Sequence, residues 1–445
     1  MTEQYQAESP AAILAQRQQL AQAIDHTLQE EAQPFAIVNA RKIDANGVTD
    51  HAWLVSDGTS ITAVGTLNEQ ASAETTVERM IAADHELAVA IATAHVQPDQ
   101  IIDAQMRIMT PGYIDIHAHG SWGNSFDDGD QGIVMARAGH MVHGTTRQVL
   151  SLITNPLDVM CRNLQTVHSV MQRRADVLGS HLEGPFLALS RKGAHDPNCL
   201  IDSTPEAVQK LLDAAQGSLR QITIAPELPH GLLAIYQLAN AGVVPAVGHC
   251  DADYATAVRA FDAGARIMTH MFDAMNGIHH REPGPIPAAV EDERVSIELI
   301  NDGFHVQNPV IRMGWNFAPH RIVFVTDAMA ATDCPDGQYK LGELDVNVVD
   351  GHARLVSNGA IAGSTLLLEH AVQRAVLELG FNAAHAVEAA TLAPARALGL
   401  DKPNSITKQP LGLLRPSYAA DVLLLNAATW QVEQVWCAGH SIPRA

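Results

Sequence analysis

Residues 113–120 read YIDIHAHG, an alternating apolar run that closes on two histidines and a glycine. Runs of the same make recur at 147–154 (RQVLSLIT), 177–184 (VLGSHLEG), 222–227 (ITIAPE), 243–250 (VVPAVGHC), 266–274 (RIMTHMFDA), 295–303 (VSIELINDG) and 321–328 (RIVFVTDA). Helix-like stretches separate them, which is the pattern of repeated βα units. The reading is an α/β fold, a (β/α)8 TIM-like barrel over residues 110–395. Several runs end in His, Asp or Glu. In such a barrel the C-terminal strand ends face the active site, so polar groups gathered there read as functional.

Outward from the barrel, residues 1–33 read as an N-terminal helical extension, with Ile13, Leu14, Leu20, Ile24 and Leu28 at roughly helical spacing. Residues 34–109 and 396–445 are expected to form a small β-sandwich domain built from both chain ends. Its strands would come from AIVNARKI (36–43), AWLVS (52–56) and ITAVG (61–65), paired with LDVNVVDGHARLV (344–356) and ADVLLLNAATWQVEQVWCAGHSI (420–442). An Ala-rich, acidic segment near 69–95 interrupts the first set.

A chain of 445 residues, 47% hydrophobic and 17% charged, suits one large barrel with an accessory domain. No uncharged apolar stretch is long enough to span a bilayer, and the first residues lack a basic region followed by an apolar run, so a cytoplasmic protein is expected. The five cysteines are scattered and never spaced CxxC, which argues against a disulfide framework or a thiolate metal site. A net charge of -21 disfavours nucleic acid and acidic membranes as partners, but leaves a small anionic substrate possible where cationic groups cluster locally.

His117 and His119 stand two apart at the end of a strand, so both imidazoles share one face. HxH alone is weak, because 22 histidines in 445 residues give about one such triplet by chance. Glu183, His249 and His270 end three further runs, and a carboxylate with imidazoles suits a divalent ion. Asp327 ends another. Beside a metal-activated water it could take a proton and return it to a leaving nitrogen.

With these residues in place, the chain resembles the N-acetylglucosamine-6-phosphate deacetylases of the amidohydrolase superfamily. The carrying segments are PGYIDIHAHG (111–120), GSHLEGPFLALSRKGAHDP (179–197), IAPE (224–227), GHCDADY (248–254), THMFDAMNGIHHREPGP (269–285), DGFHV (302–306), VTDAM (325–329) and GSTLLLEHAV (363–372). HLEGPF followed by KGAH is the most specific. The resemblance implies that Glu183, His249 and His270 bind the principal ion, that Asp327 is the catalytic acid/base, and that His195 polarises the acetyl carbonyl. His117 and His119 match members that hold a second ion. Zinc is the first expectation, one or two per subunit, with iron, manganese or cobalt as alternatives.

The resemblance further implies that Arg281 and His305 grip the phosphate of an amino-sugar phosphate from the neighbouring subunit of a homodimer. Asp273, Ala274 and Met275 match the loop that completes the phosphate and sugar site. Asp273 stands where the family usually carries Asn, so either its carboxylate turns away or the substrate range differs. The stretch RPSYAADVLLL (415–425) departs from a commoner Gly-rich turn, which affects only a loop. The implied reaction releases acetate from N-acetylglucosamine 6-phosphate. The alternatives are deacetylation of a non-phosphorylated or different N-acetyl amino sugar, and a non-catalytic sugar-phosphate binding protein.

Overall fold

The computed structural model describes residues 10–444; residues 1–9 of the expected N-terminal extension lie outside them. Among the described residues, eight parallel strands pair in chain order. They are β1 (Tyr113–Asp115), β2 (Thr145–Ile153), β3 (Val177–Glu183), β4 (Leu219–Ile224), β5 (Val244–Val247), β6 (Ile267–Met268), β7 (Ser296–Ile300) and β8 (Ile322–Val325). Every run singled out in the sequence supplies one of them. The strands of a barrel are covered on both faces, and β2 and β3 are buried at every residue. The seam closes where Thr326 Oγ1 donates to Asp115 Oδ2 at 2.6 Å and Asp327 N donates to His117 O at 2.8 Å.

Several outer helices bury a single stripe. In Leu157–Met171 the buried residues are Met160, Leu164, Val167 and Val170, one face at helical spacing. Helix starts are fixed locally: Asp253 accepts from Thr256 N, and Thr204 accepts from Ala207 N ahead of Pro205.

The chain ends meet in a second sheet of eight strands, in which Phe35–Asp44, Gly47–Ser56 and Ile61–Thr66 join Ile108–Pro111, Val422–Leu425 and Val432–Cys437. The sheet curls on itself, with Phe35 and Trp436 stacked 5.3 Å apart and a bridge from Ser60 to Ala419. Its inner side chains thus pack face to face as in a sandwich. The acidic segment near 69–95 forms short helices whose Ala71, Met80, Leu87 and Ile91 cover Val38, Trp53 and Val55 on the outer face.

One expectation is corrected. LDVNVVDGHARLV does not join the small domain but forms, with Gly337–Leu341, a separate three-stranded sheet. Its apolar side, Leu341, Val346, Val348 and Leu355, packs against Ile153, Ala194 and Met329. Alternation determines that a strand has one apolar face, but not which surface covers it.

Candidate metal centre and active site

Glu183 is the last residue of β3, while His249, His270 and Asp327 each lie two residues past the ends of β5, β6 and β8. The latter three have positive φ, 47°, 22° and 50°. Such conformations cost a non-glycine residue on the order of 1–3 kcal/mol and persist where the surroundings over-determine them. Here Asp327 N donates to His117 O at 2.8 Å, Ser364 N donates to Asp327 O at 2.7 Å, and His270 N donates to Glu298 Oε2 at 3.2 Å. Gly363 is required beside this turn, because a Cβ there would stand 2.9 Å from Asp327 O.

Glu183 lies at the centre of the site. Its Oε1 is 3.0 Å from His249 Nε2 and 3.1 Å from His270 Nε2, and those nitrogens are 3.1 Å apart. Donors bound to one tetrahedral zinc at about 2.0–2.1 Å stand about 3.3 Å from each other, close to this triangle. On the other side, His119 Nε2 is 3.1 Å from Glu183 Oε2 and His117 Nε2 is 3.3 Å from Oε1. Asp327 Oδ1 is 3.4 Å and 3.6 Å from the same two nitrogens. The residues form two groups able to hold a divalent ion, with Glu183 common to both.

The tautomers fit a metal. His249 Nδ1 donates to Arg191 O at 2.8 Å, and His117 Nδ1 donates to Glu298 Oε2 at 3.0 Å. In the neutral rings each Nε2 then carries a lone pair facing a carboxylate oxygen. A divalent cation between them makes that arrangement attractive, as protonation of the ring does where no ion is bound. Outer-shell acceptors that fix the tautomer in this way are the usual support of metal-binding histidines.

The cavity beside this cluster is about 330 Å³. His195 enters it with Nε2 3.2 Å from Glu183 Oε2, and burial lowers its pKa to about 4, so the ring is neutral. Burial would raise the carboxyl of Asp327, but its hydrogen bond to His119 keeps it below its ordinary value. It is therefore a base at neutral pH. Asp273 and Ala274 line the same cavity. Burial pushes Asp273 up to about 6 against the pull of His270 and His305, and its Oδ2 has no hydrogen-bond partner.

His305 faces the cavity of its own chain, because Asp302 binds the Phe304 and His305 amides and the His305 ring at 2.7 Å. Burial works against its charge, but Asp302 wins and raises it to about 8. The Met275 side chain is buried in the core, and Arg281 is exposed in a separate surface cavity with Asn276 and Tyr254.

Two positions were not foreseen. Glu298 is fully buried on β7 and bonds His117, His270 N and Gln221. His181 on β3 bonds Ser151 and Thr223, its ring 4.6 Å from that of His117. Both carried a signal. A charge inside the otherwise apolar VSIELI is costly unless paired, and alternation puts His181 on the face of Glu183.

The Amidohydrolase family model matches residues 108–442. The chain belongs to the amidohydrolase family. This amidohydrolase is 35% identical over 364 residues to an N-acetylgalactosamine-6-phosphate deacetylase from Escherichia coli O157:H7, covering 80% of this chain and 94% of the relative. It is 30% identical over 360 residues to the N-acetylglucosamine-6-phosphate deacetylase of Danio rerio, covering 78% and 87%. Among solved structures it resembles a mutant N-acetyl-D-glucosamine-6-phosphate deacetylase from Mycobacterium smegmatis in complex with N-acetyl-D-glucosamine-6-phosphate, with TM-score 0.80, 34% identity, and 93% and 100% of the two chains covered. The Pasteurella multocida deacetylase gives TM-score 0.80 at 25% identity over 92% of this chain and 100% of the other.

Proposed function

We propose that this amidohydrolase removes the acetyl group from N-acetylglucosamine 6-phosphate, giving glucosamine 6-phosphate and acetate. The observation that carries the reading is the Glu183–His249–His270 triangle set beside Asp327 and His195 in one cavity. Zinc is the proposed ion, given an N/O donor set, with His117 and His119 available for a second.

A bound divalent ion supplies a nucleophile at neutral pH by bringing the pKa of a water down to about 7. Asp327 accepts the proton of the attacking water and returns it to the departing sugar nitrogen. His195, neutral, donates an N–H to the acetyl carbonyl and stabilises the charge that develops on its oxygen.

The phosphate needs cations. Within the cavity of one chain Arg191 is the one arginine or lysine among the described residues, and it is held 2.5 Å from both Asp251 and Asn276. That supports a homodimer in which Arg281 of each subunit completes the partner's phosphate site, while His305 acts in its own chain.

A second reading is favoured by the N-acetylgalactosamine relative and by the unpaired Asp273 carboxyl: a different or non-phosphorylated N-acetyl amino sugar. Acetate release from the gluco and galacto sugars, each with and without the 6-phosphate, decides between them. The first reading requires the phosphorylated gluco sugar to have the highest kcat/KM, and preference for a plain or galacto sugar would replace it. Asp273→Asn should lower KM for the phosphorylated sugar several-fold and leave the plain sugar unchanged, since a like charge beside phosphate is removed.

A further inference from the structure

The N-terminal helix spans Pro10–Thr27. It packs on helix Gly129–Met141, with Ala21 and Ile24 buried. Arg17 projects from it toward Trp122, its guanidinium carbon 5.1 Å from the ring centroid. Its Nη2 donates to the main-chain carbonyl of Asp333 and lies 3.3 Å from that residue's Oδ2, while Nη1 is 3.3 Å from Cys334 Sγ. Trp122 Nε1 donates to the same Oδ2 at 2.6 Å. One arginine and one carboxylate thus join the segment after β1 to the segment after β8.

From there the two segments run side by side into the site. Trp122 N donates to Thr332 O at 3.1 Å, Gly123 N to Ala330 O at 2.7 Å, His119 N to Ala328 O at 2.7 Å and Asp327 N to His117 O at 2.8 Å. The outer end of this ladder is the Arg17–Asp333–Trp122 cluster. The inner end bears His117, His119 and Asp327. Asp333, like Asp327, has a positive φ, 55° against 50°, and Arg17 binds both its carbonyl and its carboxylate.

We propose that Arg17 is a positioning residue, acting through Asp333 and Trp122 to hold His117, His119 and Asp327 in register, so that the N-terminal helix is a working part of the site. The proposal rests on the hydrolytic reading above for its activity readout, and on geometry alone for the rest. Without the guanidinium, Asp333 keeps Trp122 but loses the bond to its carbonyl, so the ladder loosens at its outer rung. The helix itself stays docked by Ala21 and Ile24 and by Asp25, whose Oδ1 is 2.7 Å from Arg174 Nη1. A misplacement of about 1 Å at reacting groups can lower a rate by about 10²-fold.

The test compares Arg17→Met and Arg17→Lys with the wild type, each full-length and reconstituted with zinc. Arg17→Met should lower kcat about tenfold with KM within about twofold, and should lose zinc to EDTA several-fold faster while melting within a few degrees of wild type. Arg17→Lys, which keeps a cationic donor on a long side chain, should recover part of both effects. Wild-type kcat and wild-type zinc loss in Arg17→Met would overturn the proposal, as would defects that appear only with a melting point below the assay temperature. Should the wild type release no acetate from any amino sugar, the functional reading fails, and the rate of zinc loss still decides the role of Arg17.

Discussion

Asp327 meets two requirements at once, a backbone turned to φ 50° and a carboxylate 3.4 Å from His119 Nε2. Both are local to one residue, so a substitution that keeps its volume separates them from its chemistry. Asp327→Asn should keep the fold and most of the bound metal but lower turnover by about 10²- to 10⁴-fold, because an amide cannot carry a proton between water and amine. Acetate release and metal analysis of the same sample check this, and near-normal turnover would remove Asp327 from the mechanism. Glu298 makes a complementary case. Its Oε2 receives His117 Nδ1 at 3.0 Å and His270 N at 3.2 Å, and its Oε1 receives Gln221 Nε2 at 2.7 Å. Glu298→Gln removes the charge that accepts from His117 Nδ1 and His270 N, and should weaken metal affinity about 10- to 100-fold. Competition with a chelator of known affinity measures it; an unchanged dissociation constant would make Glu298 a packing residue only.

At the scale of elements, strand ends and the short segments after them do most of the positioning. His143, two residues past helix Gly129–Met141, shows how one such segment is held. Its Nδ1 is 2.5 Å from Glu369 Oε1 and its Nε2 is 3.6 Å from Asp333 Oδ2, the oxygen that Arg17 Nη2 also approaches at 3.3 Å. Burial lowers its pKa, but the two carboxylates outweigh burial and raise it to about 9. A histidine raised in the folded state adds stability that is fully present below about 6.5 and is lost as pH rises through about 9. Thermal melting should therefore show wild type falling toward His143→Gln between those pH values, with the gap widest at the acid end. A gap that grows with pH would contradict the sign.

For the whole molecule, the barrel and the sheet from the chain ends are joined by a buried ion pair. Arg147 on β2 places Nε 2.6 Å from Asp421 Oδ2 and Nη2 3.0 Å from Oδ1, and Asp421 Oδ1 also accepts Ala438 N at 2.6 Å. Removing one partner leaves a buried charge uncompensated, a loss of about 3–5 kcal/mol. Asp421→Ala should lower the melting point by several degrees or separate the transition into two steps, which calorimetry reads directly. Unchanged melting would mean that water enters to solvate Arg147.

The barrel was legible in local pattern, because each βα unit announces itself through alternation and a polar strand end. For the same reason the sequence named the residues at those ends: Glu183, His249, His270 and Asp327 each close a run whose position in the barrel follows from its order in the chain. Tertiary structure alone decided what depends on contacts between distant segments. LDVNVVDGHARLV has a strand's alternation wherever it packs, and only the apolar surface of Ile153, Ala194 and Met329 drew it to that three-stranded sheet. Glu298 and His117 are separated by 181 positions, and Arg17 and Asp333 by 316. No local pattern carries such pairings, since they arise when the barrel closes and buried charges must find partners.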